Sequence, residues 1–286
     1  MKVAKAVLDS ADADFQRLQM LFGDAVVFPS VTVIVAPLSS TNDGTGGAYH
    51  QSCDATDLYC DADFTNPDRT RALFIAELSE VGQATQNLGW DCGATNGEGL
   101  SRVHAEVLFP GVLDDFETAS AWLDSSRPDW ISQNENTDQD EISNGCAVLF
   151  LHWLHYLGYG YDRITQAGGS SLASTYQTLT GHSAPWPNFV AAVNDRWPVG
   201  TPSGVTTDNP WGVVPPPPNP PPQPPPSSLP TLTLASPLPA GTYVLTPNVS
   251  SIHVPCSSPP KVAVDVPKLV QALKTLPNKP TQVIQQ

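Results

Sequence analysis

Apolar residues in the first two thirds of the chain recur mostly at helical spacing. Phe15, Leu18, Leu21 and Phe22 are three or four residues apart, the repeat that places side chains on one face of an α-helix. The same spacing, combined with helix start and stop signals, predicts helices at residues 9–22, 67–86, 97–110, 114–123, 145–156, 164–179 and 187–197. Gly168 and Gly169 are expected to interrupt the sixth of these.

Short segments rich in β-branched and aromatic residues lie between the first two predicted helices. Residues 26–28 and 31–35 are typical of a strand or a hairpin pair, and residues 47–50 and 57–60 predict a second, short hairpin at a sheet edge. The chain up to Trp211 is therefore expected to be α+β, with a small mixed sheet and an edge hairpin packed on a helical bundle.

Two of the predicted helices have particularly clear local signals. Before the second, Asn66 can cap the helix, Pro67 suits its first position, and Asp68 lies at the positive end of its dipole. A long polar loop at 124–144 precedes the run 145–156, GCAVLFLHWLHY, which is apolar nearly all round. The helix predicted at 145–156 is therefore expected to be buried.

The composition changes abruptly near Val214. Residues 215–226 read PPPPNPPPQPPP, which is typical of a stiff polyproline II spacer, with a role as ligand for an aromatic groove as the alternative. Three parts are predicted: a main domain at 1–211, a linker at 212–230 and a small β-rich or partly disordered segment at 231–286. Within that last part, the pattern predicts strands at 231–235 and 242–245 and a short helix at 266–276.

Charge is distributed unevenly along the chain. Up to Trp211 there are 9 Lys and Arg against 27 Asp and Glu, whereas the remainder has 4 Lys and 1 Asp. So acidic a body argues against nucleic acid and against anionic membrane surfaces as partners. A peptide or protein ligand remains the class of partner that the composition allows.

The N-terminal segment and the overall hydropathy bear on location. No run approaches the roughly 20 apolar residues of a membrane span, and Asp9, Asp12 and Asp14 interrupt the N-terminal segment, which is not a signal peptide as it stands. Two expectations stay open: secretion with a leader already removed, or a cytoplasmic protein.

Five cysteines leave the redox state open. Cys53 and Cys60 could close a small loop, Cys92 and Cys146 are expected near the site discussed next, and Cys256 stands alone beyond the linker. None has the close paired spacing of a structural zinc site. An odd total leaves at least one thiol unpaired.

The strongest functional signal lies in residues 73–106. It contains Ala76-Glu77-Leu78-Ser79-Glu80 on one predicted helix and Asn96-Gly97-Glu98-Gly99-Leu100 at the start of the next, with 17 residues between Glu80 and Glu98. Asn96 is expected to cap this next helix. This frame resembles that of gluzincin-like metallopeptidases, which have the zincin fold and carry H-E-x-x-H on the first helix and a glutamate ligand on the second. Ala76 and Glu80 stand where the two histidines would be.

The resemblance implies a fold over roughly residues 25–200 and a set of roles. It makes Glu77 the general base, Glu80 and Glu98 the metal ligands, and the strand with Tyr49 and His50 a wall of the substrate cleft, although a surface hairpin histidine is the alternative for His50. Without the two imidazoles, Zn²⁺ is doubtful, and two carboxylates suit a hard divalent cation such as Ca²⁺ or Mg²⁺ better.

Electrostatics sharpens this expectation. If Glu77, Glu80 and Glu98 converge in one cleft, their mutual repulsion must be neutralised by a cation, a proton or a basic side chain. Arg102 follows Glu98 by four residues, the spacing that pairs side chains on a helix. The sequence therefore supports two functions: a non-catalytic protein that binds through its acidic cleft, or a metal-dependent hydrolase with an atypical carboxylate site.

The remaining histidines, tyrosines and serines favour structural roles. His104 lies about 240° round the helix from Glu98, and His152 and His155 are expected in a buried helix. Any of Tyr156, Tyr159 and Tyr161 could serve the family's oxyanion role, or simply pack.

A calcium loop and a serine nucleophile are both disfavoured. The oxygen-rich loop at 134–142 lacks the calcium-loop pattern. Ser79 and Ser101 have no recognisable His and Asp partners in the sequence.

Overall fold

The structure, a computed structural model, describes residues 2–38, 47–63, 65–136 and 139–212, together with the backbone of two short strands further on. The chain divides into two compact units, Met1–Pro217 and Pro218–Gln286. In the second unit, β4 (Thr242–Val244) pairs antiparallel with β5 (Gln282–Ile284).

Helices dominate the first unit. The eight α-helices of the described residues are α1 Lys2–Phe22, α2 Pro67–Gln86, α3 Thr95–Leu108, α4 Ala119–Leu123, α5 Glu141–Tyr156, α6 Tyr161–Ala167, α7 Leu172–Thr180 and α8 Trp186–Arg196. The strands of this unit are β1 Thr32–Ala36, β2 Ala48–Tyr49 and β3 Asp57–Asp61. The α+β class expected from the sequence is therefore confirmed, as is the interruption at Gly168 and Gly169 between α6 and α7.

The three strands of this unit form a mixed sheet in the order β1-β3-β2. β1 runs parallel to β3, with Thr32 opposite Asp57, and β2 runs antiparallel to it, with Tyr49 opposite Tyr59. The predicted second hairpin is thus present, and β2 is at the edge of the described sheet. The sheet places Tyr49 and the following residue beside α2.

Of the two alternatives for residues 26–35, the single strand is present as β1, and the hairpin pair is wrong. Residues 26–28 form no strand, because Val26 is buried and Phe28 packs edge-on against Phe15 and Phe22 of α1. Pro29, which follows directly, has no N–H to donate to a strand ladder. The apolar side chains that suggested a strand serve helix packing instead.

The start of α2 matches its sequence signals. The Asn66 side chain accepts a hydrogen bond from the Asp68 N–H, Pro67 occupies the first turn, and the helix ends before Asn87, which has a left-handed backbone (φ 52°). The helix is buried over much of its length. It is therefore the rigid element on which the candidate site can be built.

The start of α3 differs from the prediction. Ala94, not Asn96, is the N-cap residue, and Asn96 lies buried in the first turn, where its side-chain NH₂ donates to the carbonyls of Gly89 and Gly169. Gly97 is required because a side chain there would collide with the Asp91 carbonyl, and Gly99 because it packs on Ala147. The two glycines of the motif thus allow close helix packing.

Three other helix boundaries also shift. The first helix begins at Lys2, seven residues before its predicted start. The predicted helix 114–123 breaks into a 3₁₀ turn, Asp114–Phe116, and α4, because the Asp208 carboxylate accepts the N–H groups of Thr118 and Ala119 at the break. Asp140, from the oxygen-rich loop, caps α5 through the N–H groups of residues 142 and 143.

Two apolar clusters hold the unit together. The aromatic core joins α4, α5, α7 and α8, and its largest members are Trp122, Phe150, Trp153, Tyr176 and Phe189. The sheet-side core lies between α1, α2, α3 and the sheet, and includes Leu18, Phe22, Leu58, Ile75 and Leu78. Each such buried side chain contributes about 1.5–3 kcal/mol.

Some predictions concern residues that the structure does not describe. The proline-rich run 215–226, the strand at 231–235, the helix at 266–276 and Cys256 lie outside the described residues, whereas β4 falls within the predicted strand 242–245. None of the described helices is both long and apolar enough to cross a bilayer.

Candidate functional site

A cleft of about 490 Å³ lies between the edge of the sheet, α2 and α3. The side chains or backbone of every residue proposed from the sequence for the site line it: Tyr49, His50, Ala76, Glu77, Glu80, Glu98 and Arg102. We call it the acidic cleft. Its walls also include the loop after β2, the 3₁₀ turn and the first turn of α5.

Helical spacing explains how these residues meet. Ala76 and Glu80 are one turn apart on α2, with Glu77 beside them, and Glu98 and Arg102 are one turn apart on α3. Because α2 and α3 pack against each other, the two sets face the same space. Glu98 also lies in the first turn of α3, where the helix dipole favours a negative charge.

His50 closes the cleft from the sheet side. Its Nε2 lies 2.6 Å from a Glu80 carboxylate oxygen and 3.8 Å from one of Glu77. Its side chain is only 5% exposed, so the alternative of a surface histidine is wrong. Its Nδ1 has no hydrogen-bond partner within the described part of the chain.

Arg102 neutralises the opposite side. Its Nε donates to Glu98 at 2.7 Å, and its NH1 group donates to the Phe116 carbonyl at 2.9 Å. Burial lowers the pKa of Arg102, but the negative charges of Glu98, Asp208 and Glu80 outweigh this effect, so its pKa is raised. The guanidinium therefore stays charged and forms an ion pair with Glu98.

Negative charge nevertheless dominates the acidic cleft. Seven acidic residues of the described chain line it: Glu77, Glu80, Glu98, Glu106, Asp114, Glu141 and Asp208. Burial raises the pKa of Glu106 to about 7. Burial also raises the pKa of Asp208, against the opposing effect of Arg102. Burial and crowding of carboxylates thus make this a place where a cation is favoured.

The cysteines are arranged differently from the expectation. Cys53 pairs with Cys92 in a disulfide that lines the acidic cleft, not with Cys60. Cys60 and Cys146 are free and fully buried, and burial raises the pKa of both thiols. Cys146 was expected near the site, but it belongs to the aromatic core and does not line the cleft.

The donor set does not fit the zinc of the gluzincin pattern. Ala76 offers only a methyl group, Glu98 is bonded to Arg102, and Glu80 is bonded to His50. Catalytic zinc sites take three protein ligands, typically with imidazole among them, and keep a fourth position open. At the ligand positions of the motif this chain has a methyl group and two carboxylates, one paired with His50 and the other with Arg102.

His104 and Ser79 form a pair that the sequence did not reveal. His104 Nδ1 lies 2.8 Å from Ser79 Oγ, and its Nε2 lies 2.8 Å from Thr165 Oγ1. The sequence did not indicate this histidine for Ser79, and both residues are inaccessible to solvent. Burial lowers the pKa of His104 to about 3, so this pair is a neutral structural network away from the cleft.

His152, His155 and the three tyrosines proposed for an oxyanion role also lie outside the acidic cleft. His152 Nδ1 is 2.7 Å from the Tyr161 hydroxyl, and the His155 ring stacks on Tyr161 at 4.0 Å. Tyr156 packs against Trp211. None of the three tyrosines proposed for an oxyanion role lines the acidic cleft.

Several site residues were missed. Glu106 follows Arg102 by four residues on α3, so helical spacing alone could have placed it in the cleft. Asp208 reaches Thr118 and the cleft from a distant part of the chain, and no local pattern indicates that. Cys92 is 39 residues from Cys53 in sequence, a separation that predicts no pairing.

Comparisons with family models, curated proteins and solved structures give no match for this chain. The resemblance to gluzincins therefore stays a prediction from the sequence motif and its spacing.

Proposed function

We propose that this chain is a non-catalytic binding protein on a gluzincin-like scaffold, and that its acidic cleft takes up a positively charged segment of a peptide or protein. The observation that carries the proposal is the excess of carboxylates over basic groups in the cleft, where Arg102 is the only arginine or lysine among the described lining residues. A guanidinium or ammonium group would relieve the repulsion among these carboxylates.

The edge of the sheet suits an extended ligand. β2 is at the edge of the described sheet, beside the acidic cleft, and an extended peptide can add to such an edge through main-chain hydrogen bonds. Tyr49 is 44% exposed and stacks flat on Tyr59 at 4.8 Å. An aromatic face next to carboxylates favours arginine or lysine, because cation–π attraction adds to charge pairing.

Internal neutralisation supports a non-catalytic role. The two carboxylates proposed as metal ligands are each paired with a group of the protein itself, Glu80 with His50 and Glu98 with Arg102. The Ala76 methyl replaces a ligand that the peptidase motif requires. These three features argue against catalysis by a metal ion held at the motif.

Binding of fluorescent peptides tests the proposal. We expect an extended Arg- and Lys-containing peptide to bind the full chain, an acidic peptide of equal length not to bind, and affinity to fall as salt is raised. Glu80→Gln and Asp114→Asn should each weaken binding about fivefold to tenfold, since each removes one cleft carboxylate (about 1 kcal/mol).

The matched control is Asp195→Asn, an exposed carboxylate on α8 outside the acidic cleft. It should leave the affinity unchanged. Equal binding of the acidic peptide, or an equal loss with Asp195→Asn, would show that the cleft is not the binding site.

A hydrolase is the second candidate, favoured by the position of Glu77. Its carboxylate is only 3.8 Å from His50 and lines the same cleft, where a general base could act on a bound peptide. This function predicts that the chain cleaves peptides with a divalent cation present, and that Glu77→Gln abolishes turnover while leaving the fold intact. Absence of cleavage with Zn²⁺, Mn²⁺, Ca²⁺ and Mg²⁺ across pH 5–9 would remove this candidate.

A further inference from the structure

One wall of the acidic cleft combines a disulfide with a histidine and a glutamate. Cys53 lies in the loop between β2 and β3, and Cys92 lies in the loop between α2 and α3. Both sulfurs line the cleft together with His50 and Glu80. Two loops of different elements are thus joined beside an imidazole and a carboxylate.

The potential ligand atoms are close together. A nitrogen of His50, an oxygen of Glu80 and the sulfur of Cys92 all lie within 4.8 Å of one another. Bond lengths of roughly 2.0 Å to nitrogen or oxygen and roughly 2.3 Å to sulfur place tetrahedral zinc ligands about 3.3–3.8 Å apart. Side-chain rotations that move the ligand atoms by about 1 Å would therefore bring this group to a zinc geometry. The sulfur of Cys53 is bonded to that of Cys92, and both cysteines line the cleft.

The sulfur chemistry decides whether a metal can bind. In the disulfide neither sulfur is a thiolate, and the histidine and glutamate alone are a weak donor set. Reduction by a thiol or phosphine adds two electrons and two protons to the disulfide and yields two thiols. Each thiol then loses its proton when it coordinates zinc, which binds cysteine only as thiolate.

We propose that reduction of the Cys53–Cys92 disulfide converts this wall of the cleft into a zinc site with Cys53, Cys92, His50 and Glu80 as its ligands. The set of two thiolates, one imidazole and one carboxylate matches the softness that Zn²⁺ prefers. It shares only Glu80 with the ligand positions of the gluzincin motif. The metal would sit toward the sheet edge and the disulfide.

Two further observations support this site. The His50 side chain is 5% exposed, and its Nδ1 has no partner in the described part of the chain, an unusual state for a buried polar atom. Cys53 and Cys92 are half-buried, whereas Cys60 and Cys146 are fully buried. A reductant can therefore reach the disulfide, and neither buried thiol belongs to the group of potential metal ligands found among the described residues.

This inference does not depend on the proposed function. The zinc site is defined by its four ligands and by the redox state, and it is read out by metal content, whereas the binding function is read out with peptides. A failure of one leaves the other standing.

The experiment is metal binding by the full chain in both redox states. Protein with the disulfide intact, and protein reduced with a phosphine, are each loaded with Zn²⁺ and desalted, and bound zinc is counted by mass spectrometry. We expect one zinc per reduced chain and none per oxidised chain. Co²⁺ in place of Zn²⁺ should give the thiolate-to-cobalt charge-transfer band and the intense visible bands of a tetrahedral site, again only after reduction.

Variants identify the ligands. The double variant Cys53→Ser/Cys92→Ser should bind no zinc at this site in either state, and His50→Ala and Glu80→Gln should each weaken binding of zinc to the reduced chain at least about tenfold. Cys256→Ser and Cys146→Ala, which alter cysteines outside this group, serve as matched controls and should bind zinc as the wild type does. Circular dichroism establishes that each variant is folded.

Chemical blocking of the thiols in the wild-type chain provides the same test as the double variant. If it fails to fold, wild-type chain that has been reduced under native conditions and alkylated at its accessible thiols takes its place, and it should lose zinc binding. Zinc bound equally with and without reductant, equal binding by chain that lacks both thiolates, or no zinc bound by the reduced wild type overturns the proposal.

Discussion

The acidic cleft and the aromatic core treat buried polar and apolar groups in opposite ways. In the aromatic core, Trp122 is fully buried, stacks on Phe189 and donates its ring N–H to the Pro128 carbonyl, so both packing and hydrogen bonding are complete. In the acidic cleft, His50 is nearly as buried, but one of its ring nitrogens has no partner in the described chain. The polar group of Trp122 is thus satisfied within the fold, whereas one ring nitrogen of His50 can still bind a ligand.

Two histidines that contact neighbouring residues of α2 make the same comparison. His104 is held between Ser79 and Thr165 with both nitrogens bonded, and burial lowers its pKa to about 3, so it stays neutral. His50 faces Glu80 and Glu77 in the cleft. Burial alone therefore does not make a histidine a candidate for function, whereas incomplete hydrogen bonding beside two carboxylates does.

The largest effect should come from the aromatic core. Trp122→Ala should lower the free energy of unfolding by about 3–5 kcal/mol, because it leaves a cavity and an unpaired Pro128 carbonyl. Urea denaturation measures this change. Leu157→Ala, at a residue that is 47% exposed, is the control and should cost well under 1 kcal/mol. A loss below 1 kcal/mol for Trp122→Ala would contradict a tightly packed core.

The next largest loss of stability is expected from removal of the disulfide that lines the cleft. Cys53→Ser/Cys92→Ser, measured with a chelator present, should cost about 3–4 kcal/mol, since the disulfide closes a loop of 39 residues in sequence separation. Cys146→Ala is the comparison at a cysteine that forms no disulfide. If the double variant is as stable as the wild type, the cleft wall holds its shape without the covalent link.

A smaller loss is expected at the internal cation. Arg102→Gln should destabilise the fold by about 1.5–3 kcal/mol, because Glu98 and the Phe116 carbonyl lose a charged donor. The same change should tighten binding of a cationic peptide, since it removes a competing positive charge from the cleft. Arg102→Lys, which keeps the charge, should recover part of the stability. Weaker peptide binding by the Gln variant would count against an acidic binding cleft.

The smallest effect is a pH dependence. Burial raises the pKa of Glu106 to about 7, so this carboxyl is protonated below that pH and charged above it. A cationic peptide should therefore bind about twofold to fivefold more tightly at pH 8 than at pH 6. Glu106→Gln should remove that part of the dependence and thereby separate Glu106 from the other titratable groups of the cleft, His50 included. A pH dependence that is identical in both proteins would exclude Glu106 as its source.

Local patterns predicted those parts of the fold that depend on neighbours in sequence. Asn66, Pro67 and Asp68 predicted the start of α2 because capping and dipole effects act within one turn. Similar logic failed at Asn96, because its amide is used to bind carbonyls from two distant loops instead of capping α3. Residues 26–28 failed as a strand because the packing of Phe28 on α1 overrode local preference.

Helical periodicity places Glu77 with Glu80 and Glu98 with Arg102, so the sequence alone shows which side chains of α2 and α3 share a face. Their partners in the cleft come from tertiary packing. Folding brings His50 from the sheet edge, Cys53 and Cys92 from two loops, and Asp208 from beyond α8 into one cleft. Periodicity acts over a few residues, whereas contacts between distant segments depend on how the complete set of apolar faces packs.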